Sequence, residues 1–282
     1  MNSTFNIYKT YILIGGLMKN IFNYFFLISL VFFSFFYTDK VINIINKKDP
    51  LMVEITKQKD KYKVEPTEAI ITENTVIPGI EGKEIDVDKS YEKMKTEGVF
   101  REQSIIYNKV TPTNSISNNK DKYIIKGNNN KQEVSIIVIV DKNNTIDKIY
   151  NIDNITLFID SKYLTIDNLN KIKSKDIYSY GNKGVYNNEL LLSDNTLIKR
   201  KNNKVPLYCL SKEKNEDTLN ICNNNDMYVV IPNVVGDLLN IKKSLSKGSI
   251  ILLEDLNNIN LIIRYINSKG YQIVPLSTLL KE

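Results

Sequence analysis

Residues 248–255 read GSIILLED and residues 259–280 read INLIIRYINSKGYQIVPLSTLL. Ile250–Leu253 is an unbroken apolar run held between a Gly-Ser pair and two carboxylates, the pattern of a strand buried on both faces. Ile259, Leu261, Ile262, Ile263 and Ile266 then recur at helical spacing, and Gly270 supplies the residue that ends such a helix. Gln272–Val274 predicts a second strand. Strand, covering helix and strand make the unit from which parallel sheets are built.

The same alternation extends upstream. Apolar runs at Val134–Val140, Ile155–Ile159, Asp176–Tyr180, Val205–Cys209 and Met227–Ile231 join Ser249–Leu253 and Gln272–Val274. Amphipathic stretches separate most of them. Seven strands in about 150 residues predict an α/β fold, a small and distorted (β/α) barrel, with a doubly wound open sheet as the alternative. The polar runs TNSISNNKD (Thr113–Asp121) and NNNK (Asn128–Lys131) place a domain boundary near residue 130. Residues 67–130 read as a small mixed α+β adaptor segment. It has short strands at Ala69–Ile71 and Thr75–Ile77, a Pro78-Gly79 turn, a helix capped by Asp88 and stopped at Gly98, and a strand over Ser104–Val110. Residues 39–66, Lys-rich with Pro50 and Pro66 as breakers, read as a stalk.

Ile21–Thr38, IFNYFFLISLVFFSFFYT, holds seven of the ten phenylalanines of the chain. Eighteen residues at about 1.5 Å each reach roughly 27 Å, close to the thickness of a bilayer core. A cleaved signal peptide would end in an Ala-x-Ala-like site, and FSFFYTDK has none. The expectation is a transmembrane signal anchor over 21–38, with 1–20 cytoplasmic and the domain over 131–282 extracytoplasmic. Lys9 and Lys19 before the span are balanced by Lys40, Lys47 and Lys48 after it, so the positive-inside rule does not set the orientation. Met18 is a second plausible start.

Lys and Arg number 38 against 32 Asp and Glu, and only Arg101, Arg200 and Arg264 are arginines. No basic stripe of the nucleic-acid-binding kind is present. Histidine is absent altogether, which excludes His-paired nucleophiles, HExxH motifs and His-based zinc sites. Cys209 and Cys222 cannot hold zinc by themselves; they read as two free thiols, with a single disulfide as the alternative. No Gly-rich phosphate loop occurs.

The GSIILLED strand, the helix with its Lys269-Gly270-Tyr271 turn, and the terminal STLL resemble the closing motif of the polysaccharide deacetylases (NodB-homology, carbohydrate esterase), in which the strand ends Leu-Leu-His-Asp. Val134–Asp141 is similar to the family's opening strand with its Asp pair, and Ile155–Ile159 to its second. Lys175–Tyr180 stands where the family has His-Glu-Ile-Gly-Asn-His, and Leu207–Leu210 where it has Arg-Pro-Pro-Tyr. The resemblance covers residues 131–282. It implies a divalent metal held by an Asp and a His-x3-His pair, a second Asp as base, a His as acid and an orienting Arg.

Carried over residue by residue, that constellation is vestigial: Asp141 remains of the Asp pair, Tyr180 and Gly184 take the two metal His positions, Glu254 takes the His of the closing motif, and the Arg is lost within Tyr208–Leu210. The reading is a membrane-anchored pseudoenzyme with no metal cofactor, binding cell-wall or extracellular glycan or a protein partner. A hydrolase rebuilt on Asp141 and Glu254 around Mg²⁺ or Ca²⁺ is the alternative, and a structural scaffold is the third possibility. Tyr163, Tyr178, Tyr180 and Tyr186 are candidates to stack on sugar rings, against scattered structural use.

Overall fold

The computed structural model describes residues 24–38, 40–41, 47–149, 152–173 and 176–282. The described chain forms two compact units. The smaller takes its residues from Met1–Lys63 and Glu84–Asn108, and the larger comprises Val64–Lys83 and Lys109–Glu282.

In the smaller unit, Pro50 does not break the chain but opens helix α1, Pro50–Lys57. Its missing N–H costs nothing at that position, and the Asp49 side chain accepts from Leu51 N at 2.8 Å. The stalk expected over 39–66 therefore contains a packed helix, burying Leu51, Met52 and Ile55. Helix α2, Val87–Met94, is capped by Asp86, which accepts from Lys89 N, and not by Asp88. Its Tyr91 and Met94 join Ile85 and Ile105 in the same cluster, and the Tyr91 hydroxyl donates to Asp49 at 3.0 Å.

Residues 24–38 are helical, with Phe25, Phe26, Phe32, Phe33, Phe35 and Phe36 all exposed. Among the described residues no helix is long and apolar enough to cross a membrane. The expected cytoplasmic segment 1–20 and the first three residues of the expected span lie outside the described residues.

The larger unit contains strands β1 (Ile70–Ile71), β2 (Thr75–Ile77), β5 (Tyr123–Ile124), β6 (Glu133–Val140), β7 (Thr156–Ile159), β8 (Ile177–Ser179), β9 (Tyr208–Leu210), β10 (Tyr228–Val230), β11 (Val234–Val235), β12 (Ile250–Leu253) and β13 (Gln272–Ile273). The chain also carries β3 (Gly82–Ile85) and β4 (Tyr107–Val110), which pair with each other. One sheet runs β1-β2-β5-β10-β9 and the other β11-β12-β6-β7-β8, with β13 on the start of β6. Every pairing in these two sheets is parallel except β1 with β2. Sequence reading missed β3, β5 and β11, of which β5 and β11 are only two residues long. It also separated β2 from the sheet it belongs to: the segment before residue 130 shares a sheet with β9 and β10.

Parallel strands buried on both faces alternate their side chains between two apolar layers. Val134, Ile136, Val138 and Val140 of β6 face one cluster, with Leu157, Ile159, Ile251 and Leu253 and the helical Ile262 and Ile266. Ile137, Ile139, Phe158, Tyr178, Ile250 and Leu252 face an interior shared with Tyr208, Leu210 and Val230 of the second sheet. The closed barrel is not formed: among the described residues no ladder joins β8 to β9. Side chains replace it. Tyr178 and Tyr208 meet edge to face at 5.3 Å across this seam. The Tyr186 hydroxyl accepts from Leu210 N and donates to Leu210 O, both at 3.0 Å.

Cys209 and Cys222 are not free thiols. They form a disulfide between β9 and the helix Glu216–Asn224, with both residues fully buried. The helix packs on the neighbouring strand β10, and its Cys222 lies with its Cα 6.5 Å from that of Cys209, within reach of a bridge. Gly248, which opens the decisive strand, has φ +76, and a Cβ there would fall 2.2 Å from Gly127 O. Gly127 N donates to Gly248 O at 2.8 Å. The position admits only glycine because two backbones touch.

Candidate functional site

Parallel strands present all their C-terminal ends on one side, so the first residue beyond each strand is carried to a common place. Asp141 follows β6, Asp160 follows β7, Tyr180 follows β8 and Glu254 follows β12, and all four line one cleft of about 610 Å³. Of the residues named from sequence, Asp141, Tyr180 and Glu254 are thus brought together. Gly184 sits behind Tyr180: a Cβ on it would lie 2.9 Å from the Tyr180 hydroxyl, and its φ is +87.

The carboxylates are engaged locally. Asp141 Oδ1 accepts from Asn143 N at 2.8 Å and Asn144 N at 2.9 Å, closing a tight turn after β6. Asn144 Nδ2 donates to Glu254 O at 3.2 Å, which ties that turn to the end of β12. Asp160, 5% exposed, accepts from Lys162 N on one oxygen and Lys183 N on the other, each at 3.0 Å. Glu254 lies 3.4 Å from Lys212 Nζ, both groups being half exposed.

Tyr180 is 9% exposed, and its hydroxyl makes no hydrogen bond among the described residues. Burial, together with the nearby Asp141 and Asp160 carboxylates, pushes its phenol above the ordinary value. It is a neutral donor at the floor of the cleft.

The residues standing at the two metal-histidine positions of the resemblance, Tyr180 and Gly184, are poor ligands for a divalent metal. Phenol is a metal ligand only once ionised, and this one is held protonated. Gly184 offers no side chain. Among the described residues no group of three or more His, Cys, Asp and Glu side chains converges as metal ligands do. Four lysines, Lys142, Lys162, Lys183 and Lys212, line the same cleft, and each opposes a second cation by Coulomb repulsion.

Asp160 and the four lysines escaped sequence reading. The signal for Asp160 was available, since it ends a buried run as Asp141 does. The lysines give no such signal in a chain where Lys dominates the charge. Of the candidate stacking tyrosines, Tyr163 and Tyr180 line the cleft. Tyr178 and Tyr186 are buried, with their hydroxyls bound inside the fold. Tyr208–Leu210 is a wholly buried strand and contributes nothing to the cleft.

No family model matches the sequence. Over 100 residues the chain is 33% identical to the uncharacterized protein YlxY of Bacillus subtilis, a stretch that is 35% of this chain and 31% of that protein; the match thus spans about a third of its length. Among solved structures it is similar to BA3943 of Bacillus anthracis, described as a CE4 family pseudoenzyme, at 19% identity and a TM-score of 0.58 over 83% of this chain and 96% of that one. A BA3943 mutant described as having restored enzymatic activity matches at 19% identity and a TM-score of 0.57, covering 82% and 98%. The α/β fold expected from the deacetylase resemblance is therefore observed, but without the closed barrel.

Proposed function

We propose that this chain is a membrane-anchored, extracytoplasmic protein whose deacetylase-like domain binds cell-wall or extracellular glycan without cleaving it. The observation that carries the reading is the cleft itself. It stays open at the strand ends, yet Tyr180, Gly184 and Glu254 stand where the resemblance calls for metal and acid histidines. An open cleft also weighs against a pure scaffold, whose former site would fill with side chains. The Cys209–Cys222 disulfide favours an oxidising compartment. The exposed Phe-rich helix over 24–38 favours a lipid environment for that segment. The pseudoenzyme description of BA3943 is the precedent for lost catalysis on this fold.

The test is made on the full chain in detergent micelles. Acetate release is measured on N-acetylated oligosaccharides and on peptidoglycan, with and without Zn²⁺, Co²⁺, Mn²⁺ or Mg²⁺, beside retention on insoluble glycan. The expected result is retention with no acetate. Metal-dependent release that disappears in Asp141→Ala would overturn the reading in favour of a hydrolase rebuilt on Asp141 and Glu254. No retention on any glycan would overturn it in favour of a protein partner.

A further inference from the structure

We infer that the cleft takes an anionic saccharide, one whose carboxylate or phosphate is received by Lys142, Lys162 and Lys183 while the Tyr180 hydroxyl donates a hydrogen bond to it. This rests on the glycan-binding reading and adds the charge of the ligand.

Seven ionised side chains line the cleft, four lysines and three carboxylates, and their partners divide them unequally. Asp141 spends one oxygen on two backbone N–H groups of the turn that carries Lys142. Asp160 spends both oxygens on the N–H groups of Lys162 and Lys183 themselves, and Ser161 N donates to Gly181 O at 2.8 Å between the same two loops. Asp141 and the buried Asp160 therefore act as anchors that fix the loops bearing the lysines. Glu254 is matched by Lys212. Lys142, Lys162 and Lys183 are left exposed, and no carboxylate lies within 4 Å of any of them among the described residues.

An independent observation points the same way. The Tyr180 ring is nine-tenths buried, and its hydroxyl lines the cleft with no hydrogen-bond partner among the described residues, which leaves it free to donate to a ligand. Burial, and after it the neighbouring Asp141 and Asp160 carboxylates, raises its pKa, so it remains a donor through neutral pH. Three ammonium groups lining one cleft with a neutral donor suit a carboxylate or phosphate. A neutral sugar would leave the lysines without use.

The experiment is calorimetric titration of the full chain in neutral detergent with three probes: a neutral N-acetylglucosamine oligomer, a glycan strand of matched length bearing lactyl carboxylates, and a sugar-phosphate polymer. At low ionic strength one anionic probe should bind at least about tenfold more tightly than the neutral one, and salt should erase most of that gap. The arm that binds names the source of the anion. The variant Lys162→Gln/Lys183→Gln changes exposed side chains only; it should cost roughly tenfold on the anionic probe and nothing on the neutral one. Tyr180→Phe should cost a few-fold at every salt concentration. Equal, salt-independent binding of neutral and anionic probes overturns the inference and leaves glycan binding standing. An anionic preference untouched by the lysine variant overturns the assignment to this cleft. Binding of none overturns both.

Discussion

Tyr178 and Tyr180 stand two residues apart at the end of β8 and face the same interior cluster. Their hydroxyls lead opposite lives. Tyr178 donates to Asp176 at 2.9 Å, and Asp176 also accepts from Thr156 Oγ1 at 2.5 Å, so the group is consumed by the fold. Tyr180 lines the cleft and donates to nothing among the described residues. One turn of pleat separates a tyrosine that builds the domain from one free to meet a ligand. The residue type is the same; only its height along the strand differs. That is why tyrosine counting in the sequence could not sort them.

The comparison breaks most visibly on stability. Tyr178 lies between Phe158 at 5.2 Å and Tyr208 at 5.3 Å, and Tyr208 continues to Tyr228 at 6.0 Å, so one aromatic file runs through β7, β8, β9 and β10. It crosses the seam that no ladder closes. Tyr178→Ala should lower the unfolding free energy by about 3–5 kcal/mol, the cost of emptying a large aromatic site, read by urea denaturation. A loss below about 1 kcal/mol would show that the seam is held by something other than this file.

Next in size is the hydroxyl that spans the seam. Tyr186→Phe strands the N–H and C=O of Leu210, a residue with no exposure. The expected loss is about 1–3 kcal/mol, the penalty for buried groups left unpaired. The same denaturation curve checks it, and an unchanged midpoint would mean that water or Ser179 O takes over.

Alkaline titration sharpens the contrast between interior and surface. Burial pushes the phenols of Tyr178, Tyr186 and Tyr208 above the ordinary tyrosine range, with neighbouring carboxylates adding to the effect. The folded chain then keeps protons that the unfolded chain releases above about pH 10. The stability they contribute is complete below that pH and is lost as pH rises beyond it, by up to about 1.4 kcal/mol per pH unit for each tyrosine. Phenolate absorbance should rise in two stages, exposed tyrosines first and the buried set together with unfolding. A single stage complete before unfolding would contradict the burial of these hydroxyls.

Much of this was legible in the residues, and the limits have physical causes. β6, β7, β10 and β12 announced themselves because a strand buried on both faces is apolar at most of its positions. β5 and β11, two residues each, carry no period long enough to read. Asp141, Tyr180, Gly184 and Glu254 were found because the deacetylase resemblance carries its site positions onto them. Asp160 follows β7 as Asp141 follows β6 and was passed over only because no motif pointed to it. The Cys209–Cys222 bridge needed the docking of a helix beside β9, on β10, a tertiary event. The open seam between β8 and β9 was hidden for a related reason. An apolar run states that a strand is buried, not which neighbour it pairs with.

The smallest expected effect tests the comparison most directly. Tyr180→Phe removes an oxygen that no other described group uses, so the folded state loses no hydrogen bond and keeps the ring against Gly184. Stability should therefore change by no more than about 0.5 kcal/mol, the range of substitutions that touch no special feature. The matched change Tyr178→Phe should cost about 1–2 kcal/mol, because Asp176 loses a donor while buried. Measured side by side, the two variants place one oxygen each at the two heights of the same strand end. Equal losses would mean that Tyr180 is bonded within the fold as Tyr178 is, and the cleft would then have no unused donor to offer. A stable Tyr180→Phe beside a weakened Tyr178→Phe would locate the border between scaffold and site within two residues.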